Sequence, residues 1–149
     1  MRVLTLGSFD MLHPGHLGLF AWCARIAGEN GPKTDSGAIE PRVVIVAVNT
    51  SEFVARFKTE PRYTTEERVA MVRGTRYVDE VVMNDGLDQA GLILEERPDM
   101  LVIGSDWARK DYLAQLQIDQ DWLDEHGIAL AYVPRTGNWS STEMRARQS

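Results

Sequence analysis

The chain of 149 residues has a single cysteine, Cys23, so it cannot close a disulfide on itself, and the framework of a small cross-linked secreted scaffold is excluded. Cys23 lies among apolar residues in a helix-like stretch, which reads as a small core filler and not as a nucleophile. No apolar run approaches the roughly 18 residues that cross a bilayer, so no membrane span is expected. Met1 is followed almost at once by a strand-like run, which leaves no room for a basic segment, an apolar segment and a cleavage site ahead of the fold; a cytoplasmic location is the expectation. The 16 Lys and Arg against 22 Asp and Glu give a net charge of −6, and the cations are scattered. A nucleic-acid polymer is therefore not an expected partner, whereas a small phosphorylated ligand in a locally cationic cleft is compatible with this charge.

What the chain does contain is ample apolar material: 44% hydrophobic against 26% charged residues argues for a folded domain over a disordered one. Its length suits one domain spanning 1–149. Strand-like and helix-like segments alternate throughout, the pattern of an α/β domain on a mainly parallel sheet. The near-continuous Val, Ile and Leu runs Val3–Phe9, Val43–Asn49, Val78–Met83, Met100–Ile103 and Ile128–Val133 predict five strands covered by helices on both faces, a Rossmann-like doubly wound architecture. Helices are expected over Gly15–Ala27, Thr50–Phe57, Thr65–Gly74 with Thr64 or Thr65 as cap, Asp88–Glu96, Leu113–His126, and from Ser141 onward. The Gly, Pro and polar residues of 28–42 read as a surface insertion within that one domain.

The most informative stretch is Gly7-Ser8-Phe9-Asp10-Met11-Leu12-His13-Pro14-Gly15-His16, where a strand gives way to a helix. Two imidazoles three residues apart at a helix start stand together over the end of the helix that favours anions, so the pair marks a phosphate site carrying two proton-bearing groups. The stretch resembles the G-[ST]-F-D-x-x-H-x-G-H motif of the cytidylyltransferase-like nucleotidyltransferases.

Further blocks follow in the order that family has them. Asn49 leads to Lys58 and then to Arg62-Tyr63-Thr64-Thr65-Glu66-Glu67-Arg68, similar to a strand, a lysine-bearing loop and a helix opening with E-R. A loop lysine can bring its ammonium to transferring phosphates, or can be a solvated surface group; the residues alone leave both readings open for Lys58. Arg76-Tyr77-Val78-Asp79-Glu80-Val81 matches the run before the third strand, and the resemblance implies a homodimer joined near Arg76, Tyr77 and Asp79. Gly104-Ser105-Asp106-Trp107, with Lys110 beyond, is similar to the family's G-D-D-W, with Ser105 in place of the first Asp. Pro134-Arg135-Thr136-Gly137-Asn138-Trp139-Ser140-Ser141-Thr142 resembles P-R-T-x-G-I-S-T-T, with Asn138 and Trp139 departing from it.

Within the family the chain is most similar to the glycerol-phosphate cytidylyltransferases. The resemblance implies transfer of CMP from CTP to a small alcohol phosphate, giving a CDP-alcohol and pyrophosphate. It places His13, His16, Lys58 and Arg135 in catalytic positions. It assigns Gly7, Ser8, Phe9, Asp10, Gly15, Arg68, Gly104, Asp106, Trp107, Thr136, Ser140, Ser141 and Thr142 to the nucleotide, and Lys110 and Trp139 to the acceptor. Asp10 reads as a brace for its loop. Mg²⁺ or another divalent cation would accompany the triphosphate and keep several waters, so no dedicated protein metal ligands are expected. An adenylyltransferase of the same superfamily, acting on a sugar phosphate or a flavin, is the main alternative. A metal-binding protein lacks a third ligand beside His13 and His16, a non-catalytic nucleotide-binding module would not need both histidines and Arg135, and an aminoacyl-tRNA synthetase fragment lacks its lysine-rich loop.

Overall fold

A computed structural model of the chain describes residues 1–29, 35–38, 41–105 and 111–137. In chain order the elements are β1 (Arg2–Gly7), α1 (Pro14–Glu29), β2 (Val43–Asn49), α2 (Ser51–Ala55), α3 (Thr65–Arg73), β3 (Glu80–Asn84), α4 (Gln89–Glu96), β4 (Met100–Gly104), α5 (Tyr112–Gln115), α6 (Gln120–Glu125) and β5 (Ala129–Val133). The sheet runs β3-β2-β1-β4-β5. Every pairing is parallel, so the mainly parallel sheet of the sequence reading is parallel throughout.

Alternation along the central strands sends side chains to two separate cores. Val44, Val46 and Val48 of β2 join Val3, Phe20, Cys23, Ala27, Val69 and Val72 on the face covered by α1 and α3. Ile45 and Ala47 join Leu4, Leu6, Ile93, Leu101 and Leu123 on the face covered by α4, α5 and α6. Burial on both faces is what removes polar residues from these strands. Cys23 is fully buried and its thiol is pushed up to about 12 by that burial, which makes it the inert core filler its sequence context suggests.

Acidic residues just ahead of two strands pin the sheet's amino edge. The Asp79 carboxylate accepts from Val44 N at 2.8 Å and pairs with Arg42 at 3.6 Å, and the Asp99 carboxylate accepts from Arg2 N at 2.8 Å. Arg76 lies over the Tyr77 ring and donates to its hydroxyl at 2.9 Å. The residues expected at a subunit contact thus have partners within their own chain. Of the 28–42 segment, residues 35–38, 41 and 42 are exposed. No described helix is long and apolar enough to cross a membrane.

Two helices differ from the periodicity reading. The expected Leu113–His126 helix is two, because Gln117 takes a left-handed conformation at φ 63° and the Asp119 carboxylate caps a new helix by accepting from Trp122 N at 2.8 Å. A mid-pattern Asp offers the backbone a cap, and that local bond wins over continuation. The helix expected over Thr50–Phe57 stops at Ala55.

One feature of the ladder positions the site. β1 pairs with β2 along its whole length, whereas its pairing with β4 is confined to Val3↔Met100 and Leu4↔Leu101. Beyond Leu4 the strands part, and the Tyr112 hydroxyl donates to Leu6 O at 3.3 Å in the gap. This is the topological switch point of the sheet, where consecutive connections turn to opposite sides and ligand crevices form.

The start of α3 carries a complete capping box: the Thr64 side chain accepts from Glu67 N at 3.1 Å while Glu67 accepts from Thr64 N at 2.9 Å. Thr64→Ala is expected to cost about 1 kcal/mol and to lower the thermal midpoint by about 3 °C, read by calorimetry.

Candidate active site

At the carboxyl ends of β1, β2, β4 and β5 lies a cleft of about 490 Å³, walled by the β1–α1 loop, the segment after α2 and the segment after β5. Gly7, Ser8, Phe9, Asp10, His13, Gly15, His16, Lys58, Gly104, Arg135 and Thr136 all line it. The cleft thus gathers residues from both ends of the sequence. Of the remaining expected site residues, Asp106, Trp107, Lys110, Trp139, Ser140, Ser141 and Thr142 lie outside the described residues, as does the helix expected from Ser141.

The histidines owe their position to how α1 begins. Pro14 occupies the first helical position, where its missing N–H costs nothing. His13 takes the cap position, and its Nδ1 accepts from Gly15 N at 3.1 Å. His16 reaches back, its Nδ1 accepting from His13 N at 3.4 Å. The reciprocal bonds of a capping box are here made by two imidazoles. The rings stack with centroids 3.7 Å apart and 17° between planes.

This arrangement fixes the protons. A ring whose Nδ1 accepts an amide N–H carries its own proton on Nε2 when neutral. Burial, with help from the neighbouring His13, lowers the pKa of His16 to about 3. His13 is lowered by burial and by the Arg135 charge. Both rings are therefore neutral near pH 7, each with an Nε2–H donor, and neither is a reservoir of positive charge. Among the described residues the cleft's formal cations are Lys58, whose ammonium lies 5.7 Å from the Phe57 ring centroid, and Arg135.

The loop holding the pair is under constraint. Phe9 and Met11 both adopt positive φ, 51° and 47°, a region non-glycine residues enter only when held there. The Phe9 ring is buried between His16 and Phe20, at centroid distances of 5.5 and 5.1 Å. A Cβ on Gly7 would come within 2.9 Å of that ring. Asp10 accepts from Arg62 N at 2.9 Å and from Tyr63 N at 3.1 Å, acting as the brace its sequence context suggested.

Arg68 differs from its expected place. It is fully buried and does not line the cleft. Its guanidinium donates to Ser8 O at 2.7 Å, Asn49 O at 2.6 Å, Tyr63 O at 3.2 Å and Ser51 Oγ at 3.0 Å. Burial pulls its pKa down and the fields of Asp10 and Glu66 oppose this. The helix position was read correctly from E-R, but the side chain points down through the loops and holds them together; it is not a nucleotide contact.

Three residues were missed in the sequence. A side chain on Gly18 would collide with Thr136, so the chain after β5 rests directly on α1. Asn49 and Tyr112 also line the cleft. For Asn49 the available signal was its place at the carboxyl end of a strand; Gly18 and Tyr112 carry none outside the fold.

Two outcomes are expected. Arg68→Met strands the Ser8, Asn49 and Tyr63 carbonyls and should destabilise the protein by about 3–5 kcal/mol, measured by urea unfolding, with Arg68→Lys recovering part of the loss. In the absence of ligand, His16 binds a proton more readily unfolded, at the ordinary pKa of 6.5, than folded, at about 3. The protein should therefore lose stability as pH falls from 6.5 toward 3 and show no dependence from this group above 6.5; in His16→Gln that part of the slope should disappear.

Residues 4–147 match the family model described as Cytidylyltransferase-like. The chain is 34% identical over 105 residues to an FAD synthase of Methanopyrus kandleri, an alignment covering 70% of this chain and 63% of the relative. It is 28% identical over 145 residues to the glycerol-3-phosphate cytidylyltransferase of Bacillus subtilis, covering 97% and 94% respectively. The lipopolysaccharide core biosynthesis protein from Thermoplasma volcanium GSS1 shares the fold, with a TM-score of 0.66 over 93% of this chain and 98% of that one at 22% identity. With the family model spanning nearly the whole sequence and the paired histidines seated at the switch point, the chain belongs to the cytidylyltransferase-like family of nucleotidyltransferases.

Proposed function

We propose that the protein transfers CMP from CTP to a small alcohol phosphate. An oxygen of the acceptor's phosphate attacks the α-phosphorus; the bond from that phosphorus to the β-bridging oxygen breaks, and pyrophosphate leaves. The observation that carries this reading is the pair of neutral imidazoles, locked by backbone bonds so that each offers an Nε2–H, in a cleft that also holds Lys58 and Arg135. Charge grows on the non-bridging and leaving oxygens in such a displacement, and fixed donors aimed at it cost no reorganisation. His13 and His16 donate to those oxygens, and Lys58 and Arg135 balance the triphosphate. The positive end of the α1 dipole also faces this cleft, although the His13 and Gly15 amides are taken by the imidazoles.

A divalent cation would come to this site as the triphosphate's companion. Among the described residues no three His, Cys, Asp or Glu side chains converge, and both Asp10 oxygens already accept amide N–H bonds. Such an ion would screen phosphate charge while held by phosphate and water oxygens. The preference for CTP is supported by the Asp106-Trp107 and Arg135-Thr136 matches and by similarity to the glycerol-3-phosphate cytidylyltransferase. A second reading, adenylyl transfer from ATP, is favoured by the 34% identity to an FAD synthase. The family resemblance also supports a homodimer, which light scattering would measure.

With Mg²⁺ present, CTP at about 100 times its dissociation constant should add roughly 2.7 kcal/mol and raise the unfolding midpoint by several degrees. A shift with ATP and none with CTP would replace the first reading by the second. His16→Ala should reduce pyrophosphate release by about 10²-fold or more while the protein still folds; undiminished release would remove the histidines from the chemistry.

A further inference from the structure

Beside the main cleft, a second cavity of about 200 Å³ opens between α2 and α5. The two share Leu6, Asn49, Phe57, Tyr112 and Gln115 as walls, so a ligand reacting in the first can extend into the second. Among the described residues no charged side chain lines the smaller cavity.

Its polar groups are oriented by a relay of amides whose direction is fixed from one end. Gly86 N donates to Asn84 Oδ1 at 3.1 Å, which assigns the oxygen of that amide and leaves Nδ2 as the donor end. Both Nδ2 hydrogens are then spent, on Asn49 Oδ1 at 3.0 Å and on Gln89 Oε1 at 3.0 Å. Asn49 and Gln89 thus turn their oxygens into the relay. One hydrogen of Gln89 Nε2 goes to Gln115 O at 2.7 Å. The second has no partner among the described residues, although Gln89 is only 4% exposed. The Asn49 NH₂ has none either. For the buried Gln89 an unsatisfied amide hydrogen is costly, and it lines the small cavity together with the half-buried Asn49.

We propose that this cavity receives the non-phosphate end of the acceptor, and that Asn49 and Gln89 select an uncharged, hydroxyl-bearing group by donating to its oxygens. The inference rests on the nucleotidyl-transfer reading and adds to it the acceptor's chemical class: a polyol phosphate, as against an alcohol phosphate ending in an ammonium. An ammonium brings only further donors or methyl groups to the Asn49 and Gln89 hydrogens, and no carboxylate among the described lining residues balances its charge. The volume of about 200 Å³ is enough for a short polyol chain.

Asn49→Asp isolates the claim, because Asp keeps the oxygen that accepts from Asn84 and exchanges the cavity-facing NH₂ for a second oxygen. Initial rates of pyrophosphate release are compared for glycerol 3-phosphate, phosphoethanolamine and phosphocholine, using the triphosphate that supports turnover. The wild type should prefer glycerol 3-phosphate. In Asn49→Asp the ratio of kcat/KM for glycerol 3-phosphate to that for phosphoethanolamine, measured with the same triphosphate at saturation, should fall by about 10²-fold or more. Wild-type preference for either ammonium compound, no turnover of glycerol 3-phosphate beside turnover of another acceptor, or an unchanged ratio in the variant would overturn the proposal. Absence of both a nucleotide-induced shift and pyrophosphate release in the wild type would instead bring down the transfer reading on which it rests.

Discussion

One buried guanidinium holds the working end of this molecule in register. Arg68 leaves α3 and meets carbonyl oxygens from the β1–α1 loop, the end of β2 and the segment before α3. Each of those carbonyls would otherwise need its own partner in a place water does not reach. Because a planar fork of five donors can serve several acceptors at once, a single residue replaces several local solutions. The strained backbone at Phe9 and Met11 persists in the same loop, where Asp10 ties it to Arg62 and Tyr63 from the other side.

The histidine pair depends on that frame and adds a constraint of its own. Ordinary capping residues satisfy the free amides at a helix start and do no more. Here the capping groups are imidazoles, so satisfying the amides also decides where the ring protons sit. Structure and proton inventory are set by the same two bonds.

The central strands were legible in the sequence because burial on both faces leaves near-continuous Val, Ile and Leu, the partly exposed edge strands β3 and β5 because shorter apolar runs recur between helical patterns, and the first motif because it is a particular string of residues. What escaped was decided by direction, which one-dimensional spacing does not record. Arg68 was placed on the right helix, but whether its side chain faces the cleft or the interior follows from the loops above it. The break at Gln117 was hidden because its neighbours still carry apolar residues at helical spacing; Asp119, as a cap, was the available clue. Gly18 is small because Thr136 lies against it, a requirement set by a residue far away in the chain.

That contact between Gly18 and Thr136 bears on the order in which the protein matures. β1 and β2 can pair as soon as both have been synthesised, and α1 with its histidines can dock on them early. Arg135 and Thr136 come with the last strand of the sheet. During synthesis a domain condenses from the parts already available, and contacts between distant parts of the chain carry the greatest closure cost. The cleft is therefore complete only once the chain after β5 has been laid against α1, so residues from opposite ends of the sequence must meet before Arg135 and Thr136 stand beside His13 and His16.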